Sequence, residues 1–142
     1  MPIIYIMCGI PGSGKTTLSS HLAYEYGLTL YSYDELRNNR QFNHIRLKSY
    51  LFSLITQSLT NNENVIVDNL YITKESRYEL LSIISSIPCK KILIVLQTPL
   101  DVCVDRDANR ASHILGRRAI CNFSNKYEQP TLDEGWDEIL YY

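Results

Sequence analysis

Residues 9–16 read Gly-Ile-Pro-Gly-Ser-Gly-Lys-Thr, a complete match to the phosphate-cradling pattern G-x-x-x-x-G-K-[ST]. Glycines let such a backbone curl until its N–H groups converge on phosphate oxygens. Lys15 is then placed to reach the terminal phosphates, and the Thr16 hydroxyl is a magnesium ligand. The helix that follows turns its positive N-terminal end to the same anion. Gly9, Gly12, Ser13, Gly14, Lys15, Thr16 and Thr17 are therefore the expected site for ATP or another nucleoside triphosphate, with Mg2+ on Thr16.

Transfer of a phosphoryl group needs more than a cradle. It needs a carboxylate that accepts or orients the proton of the acceptor hydroxyl. Asp34 is the candidate, as catalytic base and acceptor contact, although Asp also caps helices well. Arg37 lies three residues on, one turn away on a helix, where a guanidinium can hold a substrate phosphate in bidentate fashion. Asp68 stands where such proteins place a magnesium-linked carboxylate. Arg106 and Arg110 are four apart and would share a helix face. Two cations so placed suit a triphosphate between them, on a lid that closes and excludes water. Arg117 and Arg118 could extend that groove or face solvent.

These residues are useful only if the chain brings them together. Ile3 to Cys8 is a short apolar run of the kind a buried parallel strand needs. Leu18, Leu22 and Tyr26 recur at helical spacing, stopped by Gly27. Leu28 to Tyr33 reads as a second strand ending at Asp34, followed by a polar loop with Arg40 and His44. Leu47, Leu51, Leu54, Ile55 and Leu59 form the stripe of an amphipathic helix. Val65 to Val67 is a third strand ending at Asp68, and Thr73 is a plausible cap for a helix carrying Arg77, Leu80, Leu81, Ile84 and Ile87. Lys91 to Gln97 is a fourth strand, residues 101–127 are mainly helical with a break near Gly116, and Ile139 to Tyr141 is a fifth strand.

Strands alternating with helices predict an α/β three-layer sandwich of the P-loop NTPase type, with a mostly parallel sheet of four or five strands. Ligands then sit beyond the carboxyl ends of the strands. The P-loop, Asp34, Asp68 and the arginine segment each follow a strand, so all four are expected at one sheet edge. The 142 residues suffice for a single kinase-like domain, residues 1–142, with a lid over about 101–118.

Charge is nearly balanced at −1, which argues against a surface coated by nucleic acid while allowing a local basic groove. The four cysteines lack zinc or disulfide spacing and read as small buried residues. The first apolar run flows straight into the P-loop, so it is read as a core strand and not a signal peptide. A cytoplasmic, soluble protein without membrane contact is the expectation. Asn125-Lys126-Tyr127-Glu128 lacks the Asp of a guanine-reading motif, and Asn69 after Asp68 leaves no acidic pair of the motor-ATPase kind. A kinase is the reading that remains.

The chain resembles the P-loop 5′-hydroxyl polynucleotide kinases of phage and end-healing enzymes. The likeness rests on the P-loop, on Ser32-Tyr33-Asp34-Glu35-Leu36-Arg37 as an S-x-D-x-x-R element, and on Val67-Asp68-Asn69-Leu70. Arg106 to Arg110 looks like the family's lid R-x-x-x-R, and Tyr127-Glu128-Gln129-Pro130 with Glu134-Gly135-Trp136 is similar to its closing segment. The resemblance implies that Lys15 and Thr16 bind ATP and magnesium, Asp34 activates a 5′-hydroxyl, and Arg37 grips the phosphate 3′ of the terminal nucleoside. It also implies that Arg106 and Arg110 stabilise the transferring phosphoryl group and Asp68 orients the site. The implied substrates are 5′-hydroxyl ends of RNA or DNA, with separate ligase and phosphatase enzymes completing any repair. The lid departs from the pattern in carrying Asp105 and Asp107 beside Arg106. Two alternatives stay open: a kinase for a small-molecule hydroxyl (sugar, nucleoside or acid), and a nucleotide-binding regulatory module.

Overall fold

The computed structural model describes residues 1–39 and 42–142; Arg40, expected in the polar loop, lies outside the described residues. The sheet is built from β1 (Ile3–Cys8), β2 (Thr29–Ser32), β3 (Val65–Asp68), β4 (Lys90–Val95) and β5 (Glu138–Tyr141). The strands lie in the order β2-β3-β1-β4-β5, and every pairing is parallel. β1 is therefore the turning point of the topology, with β3 and β2 on one side and β4 and β5 on the other. A ligand crevice forms beyond the carboxyl ends at such a point.

Alternation along β1 divides the core. Ile4, Ile6 and Cys8 face one layer, with Val65, Val67, Leu93 and Val95. Met7 faces the other, with Ile66 and Ile94. The first layer is covered by α3 (His44–Thr60) and α4 (Lys74–Ile84). Leu47, Leu51, Ile55 and Leu59 of α3 are buried as the stripe predicts, each stabilising by roughly 1.5–3 kcal/mol. The second layer is covered by α1 (Lys15–Tyr26) through Leu18 and Leu22. Tyr26, placed on that stripe by its spacing, is 67% exposed. It is the last residue of α1, before Gly27 at φ 65° ends the helix, and so lies past the sheet.

Three further expectations change. β2 stops at Ser32, and Tyr33 begins the short helix α2 (Tyr33–Asn38). The Ser32 hydroxyl caps it by accepting from Glu35 N, so Asp34 lies in a helical first turn and not at a strand end. The break expected near Gly116 is present but begins earlier, as a loop between α5 (Leu100–Ala108) and α6 (Arg117–Lys126). Cys103 and Val104 of α5, Ile120 of α6 and Ile10 of the P-loop form their own buried cluster, which fixes α5 to the body. Arg110 lies past the end of α5, so it does not share a helix face with Arg106.

All four cysteines are free thiols, and Cys8, Cys89 and Cys103 are buried. No helix among the described residues is long and apolar enough to cross a membrane.

Candidate functional site

The P-loop is held from both flanks. Gly9 N donates to Leu70 O at 3.0 Å, tying it to the loop after β3. Thr98 Oγ1 donates to Ser13 O at 2.7 Å, tying it to the segment after β4. Gly12 has φ 83°, and a Cβ on it would stand 2.5 Å from the Cys103 carbonyl oxygen. Only glycine permits both the left-handed turn and this approach to α5. A Cβ on Gly9 would lie 2.7 Å from Ser13 Oγ, so a side chain there would require the Ser13 hydroxyl to move.

Lys15 is buried, and its Nζ donates to Ile10 O at 2.9 Å. Burial lowers its pKa to about 8, although Asp68 and Asp34 pull the other way. Asp68 is also buried, and Thr16 Oγ1 donates to its Oδ2 at 2.9 Å. Burial raises the Asp68 pKa, restrained by the Thr16 hydrogen bond and by Lys15. β2 and β3 pair with Ser32 beside Asp68, so Asp34 begins two residues beyond that point. There Asp34 Oδ1 accepts from Arg37 Nη2 at 2.9 Å, with both side chains more than half exposed. Across the opening, Arg106 Nη1 lies 3.5 Å from Gly12 O.

These groups line one cleft of about 800 Å³: Lys15, Thr16, Asp34, Arg37, Asp68, Arg106 and Arg110 all face it, with Gly12, Gly14 and Thr17. Ser13 stands behind the loop, and its buried hydroxyl has no hydrogen-bond partner. The expected contacts Gly9 and Ser13 therefore do not line the cleft, and its fit to an anionic ligand rests on the Lys15 ammonium, Arg106 and Arg110 with the start of α1. Among the described residues no cluster of His, Cys, Asp and Glu could hold a metal by itself. The Thr16–Asp68 pair suits a metal only when a phosphate supplies the other oxygens.

Asp107 reverses an expectation. It is buried, and its two oxygens accept from Leu115 N and Gly116 N at 3.0 and 2.8 Å. These bonds hold its pKa down. Asp107 thus ties the end of α5 to the end of the loop that carries Arg110, and the Arg110 charge also helps to hold its carboxyl down.

Sequence reasoning missed Arg77, which it placed on a helix without a role. The side chain is completely buried. It donates from Nε and Nη2 to both Glu134 oxygens at 2.8 and 3.1 Å, from Nη1 to Tyr71 O at 2.9 Å, and from Nη2 to Glu128 O at 2.9 Å. Trp136 Nε1 completes the set with a 3.0 Å bond to Glu134. The closing segment that seemed a mark of function is therefore a clamp on the β3–α4 loop. The one available signal was an arginine inside an otherwise apolar stripe.

The KTI12 family model, for chromatin-associated protein KTI12, matches residues 1–141. The chain belongs to the KTI12 family. Protein KTI12 of Saccharomyces cerevisiae is 25% identical over 160 residues, covering 99% of this chain and 50% of its own. The chain thus spans half the length of this curated relative. Among solved structures, Chaetomium thermophilum Kti12 in complex with ADP-AlF3 superposes with TM-score 0.76 at 20% identity, over 98% of this chain and 88% of that one. A fungal RNA kinase gives TM-score 0.76 at 14% identity, over 99% and 74%. At such identities these likenesses show the fold, which is that of P-loop kinases. The family shown is KTI12; the polynucleotide kinases named by the sequence resemblance share its fold.

The depressed pKa of Lys15 has a measurable result for this KTI12-family site. An ammonium held between phosphates keeps its proton, so the pKa rises on binding. Affinity for ATP is therefore expected to be full below pH 8 and to fall as pH rises through it, by up to tenfold per unit. Calorimetry in two buffers of different ionisation heat should show proton uptake near zero at pH 7 and approaching one per site at pH 9. Constant affinity from pH 7.5 to 9.5 without uptake would contradict it.

Proposed function

We propose that the chain transfers the terminal phosphate of ATP to a hydroxyl, and that the acceptor is the 5′-hydroxyl end of an RNA or DNA strand. The carrying observation is that Asp34 and Arg37, one helical turn apart, face the same cleft as Lys15, Thr16 and Asp68. In this reading the acceptor O–H gives its proton to the Asp34 carboxylate as the new O–P bond forms. The bond from the transferred phosphorus to the β–γ bridging oxygen breaks, and ADP leaves. Lys15, Arg106 and Arg110 meet the charge on the phosphoryl oxygens. Mg2+, held by Thr16 with Asp68 behind it, would neutralise further charge. Arg37 would bind the phosphate 3′ of the terminal nucleoside, which calls for an acceptor that carries one.

A second reading is a regulatory module that binds and hydrolyses ATP without an acceptor. A family described as chromatin-associated, and not as kinases, is compatible with it, and the 2.9 Å Asp34–Arg37 bond satisfies both groups without a substrate. One experiment separates the two. Labelled ATP is offered with 5′-hydroxyl RNA, 5′-hydroxyl DNA and a panel of small metabolites, and released phosphate is measured in parallel. The expected result is label on an oligonucleotide, reduced about 10²–10⁴-fold in Asp34→Asn. Phosphate release that ignores both oligonucleotide and Asp34→Asn would replace the first reading with the second. Label on metabolites alone would make the chain a small-molecule kinase.

A further inference from the structure

A second groove, of about 360 Å³, opens off the cleft. Tyr33, His44, Asn69, Leu70 and Phe123 line both, so the two form one continuous surface. The Tyr33 hydroxyl is hydrogen-bonded to His44 Nδ1, and the two rings meet edge to face with centroids 5.7 Å apart. None of the described residues 9–17 lines the groove, so it leads away from the P-loop, on the acceptor side.

Its walls combine rings with balanced charge. Phe52 of α3 and Phe123 of α6 are both partly exposed to it. Lys48 is paired with Glu79 at 3.0 Å, which cancels one charge of each sign. Glu75 lies on the rim in the first turn of α4, and Lys126 is exposed at the end of α6. Charge alone would not draw a polyanion here. A planar group entering the groove would gain contact with these rings, and Lys126 on its lining offers a cation to a phosphate.

We propose that this groove binds the second nucleoside of the acceptor strand by stacking of its base on Phe52 and Phe123. The inference rests on the reading that the acceptor is a polynucleotide end. Adjacency carries it: the groove opens off the cleft over Tyr33 and His44, so a strand whose 5′ end lies at Asp34 and Arg37 has its next nucleoside within reach of the groove. Every base has a stackable face, so the subsite tolerates sequence while requiring a strand longer than one nucleotide.

The test uses the full chain with Mg2+ and a non-transferable ATP analogue. Three ligands are compared by calorimetry: a nucleoside 3′-phosphate, a 5′-hydroxyl dinucleotide 3′-phosphate, and the same dinucleotide abasic at its second position. The dinucleotide is expected to bind about tenfold tighter than either of the others. Phe52→Leu should remove most of that increment and Phe52→Tyr should keep it, with folding checked by thermal melts. Equal binding of the dinucleotide and its abasic form would overturn the proposal. Transfer from ATP is then measured on the same ligands. An increment in binding without any transfer would retain the groove and overturn the kinase reading. Transfer at equal kcat/KM to all three, without an increment, would do the reverse.

Discussion

Arg77→Ala should destabilise the fold by about 3–5 kcal/mol, the usual effect of removing one partner of a buried ion pair. For a domain of ordinary stability, about 5–15 kcal/mol, that is a large share of the total. The reason is the number of groups that depend on one guanidinium. Glu134 would keep its charge at a nearly closed site, the Glu128 carbonyl would lose its Arg77 donor, and the Tyr71 carbonyl would keep only the Cys8 thiol. Burial pushes the Glu134 pKa up, but the bonds from Arg77 and Trp136 outweigh it and leave it below the ordinary 4.5. A lowered carboxylate pKa contributes stability that is complete above the unfolded value and lost as pH falls through the folded one. The wild-type chain should therefore lose part of its stability below about pH 4.5, and Arg77→Ala should lose less of its own there. Urea unfolding of Arg77→Ala, Glu134→Gln and the pair Arg77→Met with Glu134→Gln checks the argument. The pair removes both charges yet keeps an oxygen for Trp136, so it should recover much of the loss. A cost below 1 kcal/mol for Arg77→Ala would mean that the clamp is not what holds the tail.

The clamp also marks where reading the sequence stops. The five strands, the α3 stripe, the Thr73 cap and the Gly27 stop all follow from local periodicity and capping chemistry, which neighbouring residues carry within a turn or two. The sheet-edge rule then places the P-loop, Asp34 and Asp68 together with no further information. What periodicity does not carry is where a long polar side chain ends. Arg77 sits in an apolar stripe, and its partners Glu128 and Glu134 lie 51 and 57 residues away, between α6 and β5. Asp107 is the same case in reverse. Beside Arg106 it reads as a surface charge, yet it is buried because two N–H groups of the following loop need acceptors. Helix ends were misplaced for a related reason. A spacing of four links Arg106 to Arg110 only if the helix continues, and it ends at Ala108. Family membership was likewise beyond a P-loop and a few strand-end residues, because KTI12 proteins and polynucleotide kinases share the fold on which those residues stand.

Gly12→Ala should weaken ATP binding by about 100-fold while the domain stays folded, a change of roughly 2.7 kcal/mol. Two costs add at this position. Alanine in a left-handed turn is worse than glycine by roughly 1–2 kcal/mol. The new Cβ would also stand 2.5 Å from the Cys103 carbonyl, a backbone atom in a helix that its own buried cluster holds in place. The loop must therefore move, and it moves where it is least supported, toward the cleft. That displaces the Gly12 carbonyl beside Arg106 and the N–H groups that curl around the phosphates. The core does not share the strain, because β1 ends at Cys8 and α1 begins at Lys15, both anchored in the layers on either side. Arg106→Ala is the informative companion. It removes a cation from the cleft but leaves the loop unstrained, so on the proposed kinase reading it should lower transfer more than affinity. If Gly12→Ala bound ATP as the wild type does, the contact between the P-loop and α5 would be loose, and Arg106 would have to be brought to the phosphates by movement of α5 and not held there in advance.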